Sequence, residues 1–394
     1  QLLHERRFDL HPLALRRARA HAARPHHLAW PRHQQKRPRF QHRVAHRLQR
    51  YTAPAPRSLN RLTTPIPTPQ PRSLRFPVPS ESDLHRSIFA RSAGLSARFP
   101  RILLGPGDDC AAIHAHASPS RPLLLTVDQL VEGRHFAPTP RTSVDLIARK
   151  AIARSVSDIA AMAGSPAFAL ATGLLPPNCP YADELCERLA HWALHFHCPL
   201  IGGDIASSSA DAPCPLVLTT TLIGDAHPAR GPVTRSGAQL GDDVFVTGRL
   251  GNSFASGRHL NFEPRVREAN ALADALGQDL HAMLDISDGL GRDAARIAEA
   301  SHLGIALEAA AVPLHADVSD PLRALSDGED YELLFTARAG APVPHQLPVS
   351  LAGAPPTPVT RIGRVVEHSA GPRCAVLLPD GRTLDASAMG WEHS

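Results

Sequence analysis

"MLDISDGLGRD", residues 283–293, opens as an apolar run and then places three acids within nine positions: Asp285, Asp288 and Asp293. The apolar lead reads as a buried strand or an apolar turn. Asp285 and Ser287 lie two apart, so an extended backbone points both the same way. Gly289 permits a sharp exit into a helix from about Leu290. A helix start needs one Ser or Asp as its cap. Three acids exceed that need, and the rest of the chain must be searched for what they serve.

Outward from this strand-turn-helix unit the pattern stays mixed. "SDLHRSIFARSAGL" (82–95) predicts a first helix and "PLLLTVDQLV" (122–131) a strand. "SVDLIARKAIARSVSDIAAMA" (143–163) predicts a long helix, "ADELCERLAHWALHFH" (182–197) another, and "PLVLTTTLIGDA" (215–226) a strand. A second set of strands and helices follows "HPARGPVTRSG". The fold class read from this order is α+β or mixed α/β, without a demonstrable repeat. Two domains are expected, an N-terminal one over 81–228 and a C-terminal one over 229–394.

The net charge of +5 over 394 residues conceals two opposed parts. Residues 1–80 carry 17 Lys+Arg against 2 Asp+Glu, leaving 25 basic and 35 acidic groups for the remainder. This basic, Pro- and His-rich stretch has no sustained apolar period and reads as disordered. A nucleic-acid arm and a transit peptide compete with a third reading, translated upstream sequence foreign to the folded protein. The third is favoured, because serine is scarce. A chain beginning near Ser80 is therefore expected to fold and keep full turnover; a large drop in Tm or rate on that truncation would contradict it. No run reaches the ~18–20 apolar residues of a membrane span. The six cysteines show neither C-x-x-C pairs nor zinc spacing, which suits reduced thiols in a cytoplasm.

Acids at strand ends and turns recur through the body. They are Asp108 and Asp109 in "GPGDDCAAI", Asp128 in "TVDQLVEGRHF", Asp158 in "SVSDIAAMAGSP", Asp204 in "LIGGDIA", and Glu329 and Asp330 in "DGEDYELLF". Any one is ordinary turn chemistry. Clustered, they repel unless a cation joins them, and all-oxygen ligands select hard ions such as Mg²⁺. Hard ions held this way point to phosphate chemistry. Yet no G-x-x-x-x-G-K-[ST] and no G-x-G-x-x-G after a strand is present. Lys150, the sole lysine of the body, reads as an ordinary exposed helical residue. Arg235 in "TRSGAQLGDD" is the candidate for phosphate oxygens.

These seven segments, "GPGDDCAAI", "TVDQLVEGRHF", "SVSDIAAMAGSP", "LIGGDIA", "TRSGAQLGDDVFVTG", "LDISDGL" and "DGEDYELLF", resemble the thiamine-monophosphate kinase family in order and spacing. The resemblance covers about 81–394. It implies a two-domain fold of the aminoimidazole-ribotide-synthetase type, homodimeric, with N-terminal sheets paired across the two-fold axis. It implies transfer of a phosphoryl group from ATP to thiamine monophosphate, in line, with several Mg²⁺ ions and no protein base. The matching positions imply metal ligands at Asp109, Thr126, Val127 (backbone only), Asp128, Asp158, Asp204, Asp285 and Asp288. They imply nucleotide contacts at Gly203, Asp204, Arg235 and Ser287, and substrate contacts at His135 and Glu329. Three departures stand out: Met162-Ala163-Gly164 for Met-Gly-Ala, Asp327-Gly328-Glu329 for Gly-Gly-Glu, and Ala388 for a C-terminal aromatic, with Trp391 nearby.

Two rival readings remain. One is another ATP-using enzyme of the same superfamily; the other is a nucleic-acid-binding protein carrying a degenerate enzyme body. Neither a membrane nor a nucleic acid is the expected partner.

Overall fold

The computed structural model describes residues 102–104, 107–114, 122–349, 353–368 and 370–391, with isolated positions at 94, 97 and 100. The basic stretch 1–80 lies outside them, as does the helix expected over 82–95 apart from Gly94.

Among the described residues the first sheet holds β1 (Ile102–Leu104), β2 (Ala111–His114), β3 (Pro122–Val131), β4 (Ser165–Leu175), β5 (Leu200–Ser207) and β6 (Val217–Asp225). Their order is β1-β2-β3-β6-β4-β5. Neighbours run antiparallel except the parallel edge pair β4 and β5. Strand alternation divides β3 between two faces. Leu124 and Leu130 pack inward against Ile147 and Ile152, whereas Val127 is 63% exposed on the other side. Thr126 and Asp128 share the inward parity. β4 has no counterpart in the sequence reading, because "SPAFALATGLL" is rich in small residues and shows no clean apolar alternation.

Helices α1 (Val144–Ala161) and α2 (Ala182–His195) belong to this half. Ser143 caps α1 by accepting from the Leu146 N–H, and Asp145 favours the first turn's positive dipole end. At the other end Ala163 adopts φ +55°, the left-handed region that glycine occupies without strain. Gly164 answers a different need: a Cβ there would sit 2.4 Å from Leu124 Cδ1. The exchanged Ala-Gly order thus puts the strain at 163 and the close approach at 164.

The second sheet holds β7 (Asp243–Thr247), β8 (Leu280–Asp285), β9 (Gly304–Glu308), β10 (Leu333–Ala337), β11 (Gln346–Leu347), β12 (Thr357–Val366), β13 (Cys374–Leu377) and β14 (Thr383–Asp385). The order is β14-β13-β9-β12-β7-β10-β8, with β11 beside β12. Four helices accompany it: α3 (Ser253–Ser256), α4 (Val266–Leu276), α5 (Leu290–Ala300) and α6 (Pro321–Ser326). β8 is buried on both faces. Ala282 and Leu284 pack in the core with α5, and Met283 packs in a separate core with Ala160 of α1. Asp285 shares the parity of Met283, so the strand delivers it to α1.

α1 is the element between the layers. Fourteen of its 18 residues are buried, far more than one amphipathic stripe requires. It touches β3 and β6 on one side and β8 and α4 on the other. The mixed α/β class expected from the sequence is the class observed. Among the described residues, no helix is long and apolar enough to cross a membrane.

Candidate active site

The opening segment resolves into three acids with three tasks. Asp285 ends β8, buried, and accepts from Ser157 Oγ of α1 at 2.5 Å. Asp293, in the first turn of α5, accepts from the backbone N–H groups of Ser287, Asp288 and Gly289 at 3.0, 3.0 and 3.2 Å. This acid holds the turn, where a side chain before the helix was the simpler expectation; Gly289 itself has φ +119°. Asp288 pairs with Arg296 across the first turns of the helix.

Asp285 does not stand alone. Its carboxylate oxygen and those of Asp109 and Asp158 all lie within 4.8 Å of one another. Thr126 Oγ1 donates to Asp158 Oδ2 at 2.5 Å. Asp128 lies beside this group, 3.3 Å from Ser155 Oγ and 3.5 Å from Arg154 Nη2. Burial pushes both Asp158 and Asp285 well above the usual carboxylate range, and neighbouring carboxylates push the same way. Three carboxylates this close, one buried and two half-buried, repel one another unless a cation joins them. Their donors are oxygen alone, the set that fits a hard divalent cation. Arg235 grips Asp109 in a two-pronged fork, Nε to Oδ2 at 3.0 Å and Nη2 to Oδ1 at 2.6 Å. Its backbone N–H donates to Asp108 at 2.7 Å.

A cleft adjoins the acids. His135, Ser287, Asp288 and Glu329 line it, together with Arg134, Arg154, Phe254, Tyr331 and Trp391. Backbone pairing draws its turns together: Glu329 N–H donates to Ser287 O at 2.7 Å, Tyr331 N–H to Ile286 O at 2.8 Å, and Trp391 N–H to Asp288 O at 2.9 Å. Glu329 and Tyr331 have φ +55° and +52°. That strain is rare for side chains of this size and is typical of functional turns. The Val131 N–H donates to His135 Nδ1 at 2.9 Å. The Tyr331 hydroxyl is buried with no partner among the described residues, a state that costs about 1–3 kcal/mol.

Lys150 corrects the sequence reading. It was expected on an exposed helical face, and it is fully buried. Nζ donates to His135 O at 2.7 Å and to both Glu329 oxygens at 2.8 and 2.9 Å, and lies 2.6 Å from His259 Nδ1. Burial, only partly opposed by Glu329, brings its ammonium down to about 8. At Glu329 burial is outweighed by the His259 bond and by Lys150, and the carboxylate falls to about 2. The two partners shift by opposite balances, yet both are charged at neutral pH. A signal was available: Lys150, Arg154, Ser157 and Asp158 recur at i, i+4, i+7 and i+8, one polar stripe on a helix otherwise buried and apolar.

Gly203 and Asp204 lie apart from the acids. An inward row of the first sheet runs Asp128, Thr220, Ala171, Gly203 across β3, β6, β4 and β5. Strand spacing puts Gly203 about 14 Å from Asp128. Asp204 pairs with Thr172, which register turns to the opposite face, and its Oδ1 accepts from its neighbour's N–H. Beside Gly203, between β4, β5 and α2, lies an apolar cavity of about 370 Å³ lined by Leu185, Leu189 and Leu218. No side chain fits at 203, where a Cβ would meet Ala171 O at 2.0 Å. Ala388, the matched position of the C-terminal aromatic, is not among the cleft's lining residues; Trp391 is.

Residues 107–226 match the AIR synthase related protein N-terminal domain, and 246–371 match its C-terminal domain. The thiamine-monophosphate kinase of Rhodopirellula baltica is 35% identical over 299 residues, spanning 72% of this chain and 90% of that protein. The Escherichia coli K12 enzyme of the same name is 32% identical over 323 residues, spanning 74% and 92%. A solved structure described as AaThiL complexed with AMPPCP and TMP superposes with a TM-score of 0.62 at 28% identity, over 80% of this chain and 97% of that one.

Proposed function

The chain belongs to the thiamine-monophosphate kinase family, and we propose that it transfers the γ-phosphoryl group of ATP to thiamine monophosphate, forming thiamine diphosphate. The observation that carries this reading is the junction of two sites. An all-oxygen acid cluster, Asp109, Asp158 and Asp285, abuts a cleft walled by aromatics and by Glu329 and His135.

Asp109, Asp158 and Asp285, with Asp128 and Thr126 alongside, would hold Mg²⁺. Bound there, the metal supplies charge neutralisation for the group in transfer. The acceptor is an already ionised phosphate oxygen. It forms the new bond to the γ-phosphorus as the bond to the β–γ bridging oxygen breaks and ADP leaves. No side chain need take a proton. The residues' work is to hold two anions in line and to exclude water. For the nucleotide, the apolar cavity beside Gly203 suits a purine ring, and the row from Gly203 to Asp128 leads from it toward the acids. The Arg235 fork suits phosphate as well as carboxylate, so nucleotide and Asp109 share one guanidinium. The outer face of the first sheet exposes Val127, Phe168 and Leu170. Such an apolar row supports pairing with a second copy of the chain.

The direct test is formation of thiamine diphosphate from ATP and thiamine monophosphate by the purified protein; no product would sink the proposal. A finer test concerns Glu329. Acting in binding rather than at the transition state, Glu329→Gln should raise the KM for thiamine monophosphate and leave the ATP KM little changed. Losing a charge-assisted contact corresponds to about ten- to a hundredfold in kcat/KM. A rise in the ATP KM instead would move Glu329 to the nucleotide side.

A further inference from the structure

We infer that Arg154 and Tyr331 form the seat for the phosphate monoester of the acceptor, an inference that rests on the reaction proposed above. Arg154 lies on α1 four residues from Asp158 and lines the cleft. Its Nη1 donates to Gln129 O at 2.9 Å, and Nη2 lies 3.5 Å from Asp128. The guanidinium is thereby fixed, while its buried Nε has no partner among the described residues. Tyr331, 3% exposed, lines the same cleft and stacks on Phe262 with ring centroids 3.8 Å apart. Its hydroxyl is likewise unpartnered, and its positive φ holds the ring there against backbone preference. Two side chains lining one cleft, each with a buried polar atom that has no partner among the described residues, one cationic and one a phenol, match a phosphate oxygen.

Position narrows the choice. Glu329, His135 and Trp391 mark the part of the cleft that suits the organic cation, and Asp128 and Asp158 mark the phosphoryl-transfer end. A phosphate tethered to that cation must fall between them, where Arg154 is. The cleft is lined by Asp288 and Glu329, and Asp128 lies against Arg154, so an anion needs a fixed positive charge to enter. Arg134 also lines the cleft but is exposed, whereas the Arg154 side chain is 16% exposed and doubly anchored. A bound, oriented guanidinium loses little freedom on meeting phosphate.

Equilibrium titration of the full chain with thiamine monophosphate and, separately, with thiamine isolates the phosphate contact. Arg154→Met should weaken the monophosphate about tenfold or more and leave thiamine within about twofold. In steady state it should raise the KM for the monophosphate and not for ATP, with part of the loss restored in Arg154→Lys. Tyr331→Phe keeps the stacked ring and serves where Arg154→Met fails to fold; it should weaken the monophosphate several-fold and spare thiamine. Equal loss for both ligands, or no loss in either variant, overturns the seat. Wild-type protein that neither binds nor phosphorylates the monophosphate overturns the reaction itself, and the seat with it.

Discussion

Asp285→Asn and Asp158→Asn should each reduce turnover by at least about a thousandfold, ~4 kcal/mol at the transition state, without lowering Tm. The substitution keeps shape and the acceptor oxygen that Ser157 or Thr126 meets, but removes the charge a hard cation requires. Stability moves the other way. Both carboxyls are pushed upward, first by burial, then at Asp158 by Asp128, Asp285 and Asp109, and at Asp285 by Asp109 and Asp293. Raised acids bind more protons folded than unfolded, so in metal-free buffer the contribution of these two acids to wild-type stability falls as pH climbs above about 4. Each Asn variant should show a shallower fall and an equal or higher Tm at neutral pH. Near-normal rates at limiting Mg²⁺ would sink the cluster, and a Tm well below wild type would mean that the acids are structural.

Much of this arrangement was legible because motif and strand parity agree. Asp285 could be aimed from two-residue alternation in "MLDIS", and Thr126 and Asp128 from "TVDQ", since parity survives any tertiary context that keeps the strand. β4 was not legible, because small residues such as those of "AFALATG" fit a strand or a buried helix equally. Lys150 was missed for a related reason. A lysine on a helix is almost always solvated, and nothing local says that α1 is covered on both sides. Only the polar stripe of Lys150, Arg154, Ser157 and Asp158 carried that information, and reading it required treating the apolar residues as the common background. The placement of Gly203 far from the acids was hidden too. Spacing along the chain gives strand order no weight: β5 lies at the sheet edge, parallel to β4 after the crossover through α2, and β6 returns between β3 and β4.

Lys150→Met should destabilise the protein by about 3–5 kcal/mol, the cost of leaving a buried charge without its partner, read by urea unfolding. The pair is asymmetric, and the asymmetry predicts which half is harder to remove. Glu329, held at about 2 by His259 and Lys150 against burial, must be neutralised from far below neutral pH once the lysine is gone. Lys150, already lowered to about 8 by burial, sheds its proton cheaply when Glu329 becomes Gln, and the neutral amine still donates. Glu329→Gln should therefore cost clearly less stability than Lys150→Met, which is what makes it usable as a kinetic probe. The double variant removes both charges and should be more stable than Lys150→Met alone. Wild-type Glu329 contributes stability that is complete above about 4.5 and lost as pH falls toward 2. In Lys150→Met only His259 is left to hold the carboxylate, which then protonates sooner, so the gap between wild type and Lys150→Met should narrow in mild acid and widen as pH rises. A gap independent of pH, or a double variant no better than the single, would mean that Lys150 matters for packing and not for the charge of Glu329.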